Sequence, residues 1–299
     1  MAKTLLEIVQ QASGELGLGV PNAAASSTAQ DVVQMVYLAN ALGEELLRKW
    51  DWQQLVKEYV FQTVASTSTG NVTSGSAIIT GIPSTTGLDT TYYVSAAGFP
   101  TGVTILSVDS ATQITLTQPA TATGAGVTLN FGKGKYALPS DWLRQISRTD
   151  WDKSRRWEML GPSSPQEWQW LKSSYISTGP RMRYRILGNT FQVYPPPSQS
   201  SLTLGFEYIS SNWVSGNAAR LTNDSQQPLF DGRLMVLGTK KKWLETKNFD
   251  ATAATQEFER ELQICMTQDA DMPALSFAPQ PTNILINWNN IPDAGYGTS

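Results

Sequence analysis

The chain has 299 residues, 40% of them hydrophobic and 16% charged, with a formal net charge of −3, one cysteine and no histidine. That length suits two ordinary domains or one domain carrying an insertion, and so small a charge excludes a global field toward nucleic acid or anionic lipid. A lone Cys265 excludes an intrachain disulfide framework, and the lack of histidine removes Ser-His-Asp and Cys-His nucleophile systems and His-ligated metal sites.

The opening MAKTLLEIVQQ places one lysine and then a carboxylate in its apolar run, unlike a signal peptide. No stretch approaches the ~20 apolar residues of a bilayer span, so a soluble protein made in the cytoplasm is expected. Leu5, Ile8, Val9, Ala12 and Leu16 recur at helical spacing until Gly17 and Gly19. Past Pro21, Ser27 or Thr28 is placed to cap a second helix, with the stripe Val32, Met35, Val36, Ala39, Leu42, Leu46 and Trp50. Gly43 within it allows a close approach of another element. Glu58–Val64 (EYVFQTV) reads as a strand.

Residues 65–132 change character: they contain no Lys, Arg or Glu, and only Asp89 and Asp109 carry charge. Short β-type runs are expected at Ala77–Thr80, Tyr92–Ser95, Val103–Val108, Gln113–Thr117 and Val127–Phe131. The third and fourth form a hairpin across Asp109-Ser110-Ala111-Thr112. Alternating Ile, Val, Leu and Tyr argue for a small β-sandwich or barrel rather than a Ser/Thr linker.

The third part opens with Tyr136–Trp142 (YALPSDW). Arg155–Leu160 is strand-like, and Ser164-Pro165-Gln166-Glu167 is a capping box for a short helix carrying Trp168 and Trp170. Tyr184–Leu187, Gly188-Asn189 and Phe191–Tyr194 spell a hairpin stopped by three prolines, and Leu202–Ile209 is another strand. Helices are expected at Pro228–Lys247 and Asp250–Ala270, the latter capped by Asp250. Cys265 shares a face with Phe258 and Leu262 and reads as a small buried hydrophobe.

The expected fold class is therefore α+β. A core domain of residues 1–64 and 134–271 joins a helical bundle to a small antiparallel β part. Residues 65–133 form an inserted all-β domain, which brings Val64 close to Lys135. Residues 272–299 form an extended C-terminal tail, with Pro273, Pro279, Pro281 and Pro292 interrupting any helix and Trp288 as the anchor of a docking segment.

The strongest local signal lies between Lys133 and Arg185, which holds half of the 22 basic residues and half of the ten tryptophans. Single-strand nucleic-acid binders combine such groups. The interleaved Asp141, Asp150, Asp152, Glu158 and Glu167 favour a protein interface, which selects Trp and Arg for similar reasons. Arg181, Arg183 and Arg185 alternate, so on a strand they point one way toward carboxylates or phosphates. With Trp168, Trp170 and Trp288 they are the interface candidates. Lys240-Lys241-Lys242 reads as a solvated helix face. The pairs Asp150/Asp152 and Asp269/Asp271 and the run Glu257, Glu259, Glu261 lack the distinctive setting of a glycosidase pair, so no catalytic, cofactor or metal residues are expected. Gly132-Lys133-Gly134-Lys135 lacks phosphate-loop spacing.

Trp50–Thr63 (WDWQQLVKEYVFQT), Tyr136–Trp142, Arg183–Pro197 (RYRILGNTFQVYPPP), Phe206–Val214 (FEYISSNWV) and Pro228–Leu244 (PLFDGRLMVLGTKKKWL) together resemble the head-to-tail adaptors of short-tailed bacteriophages, the tail tubular protein A family. The resemblance covers residues 1–63 and 134–271 and rests on order and spacing rather than one motif. It implies a non-enzymatic structural protein of the virion, assembled in the host cytoplasm. Copies would form a homo-oligomeric, dodecameric ring under the portal protein, with the tail nozzle protein docked below and tail fibres as further neighbours. Double-stranded DNA would pass through during ejection without sequence-specific binding, and no membrane is involved. Residues 65–132 depart from the compact family pattern and resemble β modules that decorate other phage structural proteins. Two other classes remain: a host-surface carbohydrate-binding or depolymerase component, which predicts glycan binding by the β module, and a single-stranded nucleic-acid binder, which predicts salt-sensitive oligonucleotide binding.

Overall fold

The computed structural model describes residues 2–175 and 182–270. Its helices are α1 (Leu5–Glu15), α2 (Gln30–Lys49), α3 (Pro165–Trp170), α4 (Gly232–Thr246) and α5 (Thr252–Asp269). The first strands are β1 (Val56–Gln62), β2 (Ala65–Val72), β3 (Ile78–Ile79), β4 (Tyr92–Ala96), β5 (Ile105–Ser110), β6 (Gln113–Leu116) and β7 (Gly124–Lys133). They are followed by β8 (Lys135–Ala137), β9 (Trp142–Gln145), β10 (Trp151–Asp152), β11 (Trp157–Glu158), β12 (Arg183–Leu187), β13 (Thr190–Tyr194) and β14 (Thr203–Ser210). All ladders with a resolved register are antiparallel, and the fold is α+β. Two compact units emerge. Among the described residues one gathers 2–57, 141–144 and 208–270, and the other gathers 58–140, 145–175 and 182–207.

The first unit is a packing of α1, α2, α4 and α5. Thr4 and Glu7 close a reciprocal capping box at α1: the Thr4 hydroxyl accepts from the Glu7 N–H at 3.3 Å, and the Glu7 carboxylate from the Thr4 N–H at 2.8 Å. Leu5, Ile8, Val9 and Ala12 are buried, as their spacing demands. Met35, Ala39, Leu42 and Leu46 supply the face of α2, while α4 is buried on most sides through Leu234–Thr239 and Trp243. Each such Val, Leu, Ile or Met side chain contributes roughly 1.5–3 kcal/mol when fully removed from water.

Three helix starts differ from expectation. Ser27 accepts from the Ala29 N–H and shapes the approach to α2, whose N-cap, Ala29, makes no side-chain bond. Helix α4 begins at Gly232 because Asp231 accepts from the N–H groups of Arg233 and Leu234. Asp250 satisfies the Thr252 N–H at 2.9 Å, one residue before the N-cap, Ala251.

The lysine triplet is not the solvated face its sequence suggests. Lys240 reaches Glu15 of α1 at 3.2 Å, and Lys242 reaches Glu45 of α2 at 2.6 Å. Lys241 lies 3.9 Å from Glu245 and 4.0 Å from Glu259, with its ammonium 5.0 Å from the centre of the Phe258 ring. The triplet thus ties α4 to three other helices. Elsewhere in this unit Asp141 accepts from Lys57 at 2.7 Å, Ser210 at 2.7 Å and the Tyr208 hydroxyl at 2.9 Å. Burial would raise this carboxyl, but these bonds outweigh it and hold it below its usual range.

The second unit contains most of the β structure. Strand β7 is central to the order β2-β7-β4, and β6 to the order β3-β6-β5. These two sheets enclose a core drawn entirely from residues 72–131, including Val72, Ile79, Val94, Val103, Ile114, Leu129 and Phe131. Its two ends meet where the Val64 carbonyl accepts from the Lys133 N–H at 2.8 Å. In the β5–β6 hairpin Ser110 pairs with Gln113, so the strands run further than expected and the turn shrinks to two residues. Beyond β7, the sheet β12-β13-β8 contains a hairpin whose Leu187 pairs with Thr190 across Gly188 and Asn189, at φ +56° and +58°. Such two-residue turns require left-handed backbone, which Gly and Asn tolerate best.

Candidate functional site

Many of the charged side chains in the basic and aromatic window pair within the chain. Arg144 pairs with Asp51 and donates to the Trp50 carbonyl at 3.1 Å. Lys153 pairs with Glu58, and Arg155 lies 3.9 Å from Asp152. On α3 the capping box is one-sided. Ser164 accepts from the Glu167 N–H at 3.2 Å, but the Glu167 carboxylate turns to Arg183 on β12.

Strand alternation puts Arg183 and Arg185 on one face, as predicted, and the ladder sets Arg183 opposite Tyr194 and Arg185 opposite Gln192. Their environments differ. Arg183 is held within the chain by Glu167, whereas Arg185 has no ion-pair partner among the described residues. Arg181 and Trp288 lie outside the described residues.

Trp168 and Trp170 differ in burial. Trp168 is 2% exposed and meets Tyr194 edge-on at 6.2 Å, in a cluster with Tyr93 and Leu171. It is buried within the chain itself, which corrects its grouping with the interface residues. Trp170 is 45% exposed and stands where a neighbour could reach it. Two positions along an α-helix turn a side chain by about 200°, so the two indoles face nearly opposite sides of α3.

The carboxylate pair Asp150/Asp152 is buried, at 1% and 4% exposed. Burial pushes the Asp150 carboxyl up to about 6. Its Oδ1 accepts from the Gln145 side chain, and hydrogen bonding from Tyr184 and Gln145 opposes the rise without reversing it. Asp152 accepts from the Arg155 backbone N–H at 3.0 Å and lies 3.9 Å from its guanidinium, so the two carboxylates sit in different settings. Cys265 is half-buried, and burial raises its thiol to about 11, well away from a reactive thiolate.

A cleft of about 430 Å³ is lined by Glu58, Arg148, Thr149, Trp151, Lys153, Arg156 and Glu207. Arg148 and Arg156 both adopt left-handed backbone, at φ 67° and 59°. Among the described residues no group of three or more Asp, Glu, Cys or His side chains could hold a metal ion, and no helix is long and apolar enough to cross a membrane.

The sequence matches the family model described as SU10 adaptor protein over residues 107–280, more than half of the chain. The match begins within the β-rich segment, at β5, and runs through α5. No curated protein matches the chain.

Proposed function

The chain belongs to the SU10 adaptor protein family, a phage adaptor family, and from that premise we propose that it is the head-to-tail adaptor of a short-tailed phage, of the tail tubular protein A kind. Copies of it form a ring beneath the portal protein, the tail nozzle docks on the opposite side, and genomic DNA passes through the centre. The role is structural, and the protein resides in the virion at the head-to-tail junction. The single observation that carries this reading is the family match across residues 107–280.

We assign inter-subunit or portal contacts to Trp170 and to the row Arg181, Arg183 and Arg185, with Trp288 as the anchor of a docking tail at residues 272–299. Such contacts favour tryptophan for its large rigid ring and arginine for its planar fork of hydrogen-bond donors. The intrachain pairing of many cations also suits a subunit beside moving DNA, since paired cations grip phosphate weakly.

Electron microscopy of the purified chain mixed with its portal protein tests this reading. Closed rings capping the portal are the expected result. A chain that stays monomeric and unattached at physiological salt, across micromolar concentrations of both proteins, would overturn it.

A further inference from the structure

We propose that Lys135, Lys172 and Arg185 form a binding site for a phosphate-class oxyanion. The inference does not depend on ring formation. It begins with the register of one sheet: Arg185 on β12 pairs with Gln192 on β13, and Gln192 pairs with Lys135 on β8. Directly opposed residues share a face, so the arginine and the lysine stand on the same side with the Gln192 amide between them. Two strand spacings, about 10 Å, separate their Cα atoms, a gap that two long side chains can close.

Lys172 approaches from outside the sheet. It follows α3 in a π turn over Leu171–Tyr175, whose Leu171 packs with Trp168 against Tyr194. Tyr194 is two residues from Gln192 and therefore projects from the same face. The turn is thus laid over the face that presents Arg185 and Lys135. The Lys172 ammonium responds to this: burial lowers its pKa, and Lys135 and Arg185 lower it further.

The elements that carry the three cations supply no counter-charge. Strands β8, β12 and β13 and the π turn contain no Asp or Glu, and Glu167, the one acid of α3, is taken by Arg183. None of the three cations has an ion-pair partner among the described residues. Three like charges on a half-buried face repel one another more strongly than in water. An entering oxyanion removes that repulsion.

The chemistry of the prongs selects the class of ligand. A carboxylate offers two oxygens and one negative charge, whereas a phosphoryl group offers more oxygens and, as a free ion, up to two charges. Two ammonium point charges and one guanidinium fork, supplied from three directions, suit the second better. Free phosphate and the phosphodiesters of nucleic acid share this chemistry.

Calorimetric titration of the full chain with inorganic phosphate, at fixed ionic strength in NaCl, should show saturable binding. K135Q, K172Q and R185Q should each weaken it at least tenfold, while K153Q should leave it unchanged. Phosphate should also slow acetylation of Lys172, read by peptide mass spectrometry on the unmodified chain, so the test survives if a variant fails to fold. A short DNA duplex that competes with phosphate and loses affinity in the same variants identifies a phosphodiester source. Phosphate binding without DNA binding identifies a small-ion site. No saturable binding of either, binding unaffected by R185Q, or capture of an Asp-rich peptide in place of phosphate would overturn the proposal.

Discussion

Gly43 of α2 lies against the outer edge atoms of the Trp213 indole, so close that a Cβ at that position would sit 2.3 Å from the ring's Cη2 and 2.4 Å from its Cζ2. Trp213 is fully buried, and a rigid ring has no flexible end to withdraw. The glycine costs about 1 kcal/mol of helix propensity and admits a tryptophan worth considerably more.

Gly43→Ala should therefore destabilise the protein by about 1–3 kcal/mol net, despite alanine's better helix propensity. Gly14→Ala on α1 is the internal control. Its Cβ would meet only Val20 Cγ2 at 3.9 Å, and it should stabilise by roughly 0.5 kcal/mol. Denaturant unfolding of both variants reads the difference in sign. If Gly43→Ala proves neutral, the ring is free to move aside.

The Asp150 carboxyl makes a pH prediction. Below its ordinary value of 3.8 it is protonated whether the chain is folded or not, and it has no effect. As pH rises from about 4 to 6 the unfolded chain ionises first while the fold retains the proton, so stability falls through that window and then levels off. The displacement from 3.8 to about 6 corresponds to ~3 kcal/mol at most. Asp150→Asn keeps the acceptor for Gln145 and removes the titration. At pH 7.5 it should melt higher than the parent, with the gap closing toward pH 4. Parallel pH profiles for the two proteins would assign the effect to some other group.

The contact between Lys242 and Glu45 predicts a coupling energy. The pair is partly exposed, so a double-mutant cycle with Lys242→Ala and Glu45→Ala should return about 0.5–1 kcal/mol, diminishing in 1 M salt. A coupling of zero at low salt would mean the ammonium is no better placed than in solvent.

Residues 65–132 are proposed to be an insertion that folds around its own core. Joining Val64 to Lys133 through a short Gly-Ser link should leave the helical circular dichroism intact, because the two ends already meet at a hydrogen bond of 2.8 Å. Tyr93 reaches beyond that core to the cluster of Trp168, Leu171 and Tyr194, while Gly132 lies against Pro196 and Pro197, Gly102 against Lys172, and the Ala65 N–H donates to the Ser200 hydroxyl. A modest loss of stability in that neighbourhood is the expected price of removing these contacts. Loss of all soluble folded protein would instead assign the segment to the main core.

What the sequence made legible was local. The Gly188-Asn189 hairpin, the α1 stripe and Ser164 as a helix cap each depend on a few neighbouring residues, and each was found where expected. Strand β2 was missed because Ala65–Val72 (ASTSTGNV) has almost no apolar alternation; its strand character comes from the ladder with β7. The lysine triplet was misread because Glu15, Glu45 and Glu259 are distant in sequence. Likewise the row of arginines was visible on its strand, but not that Glu167 would claim Arg183. Lys135, Lys172 and Arg185 lie in separate stretches, and only the register of a sheet and the path of one turn unite them.

The ion pairs of α4 bear on how this protein could share space with a polyanion. Binding of a cationic surface to DNA is driven largely by the release of small ions condensed on the phosphates, with each protein cation replacing one of them. Lys240, Lys241 and Lys242 already have tethered counterions in Glu15, Glu45, Glu245 and Glu259. To take up a phosphate, each would have to abandon a carboxylate that is covalently part of the same molecule and cannot diffuse away. The entropy gained at the DNA would be offset by a stranded negative charge on the protein, so this helix is chemically lubricated against nucleic acid without being uncharged.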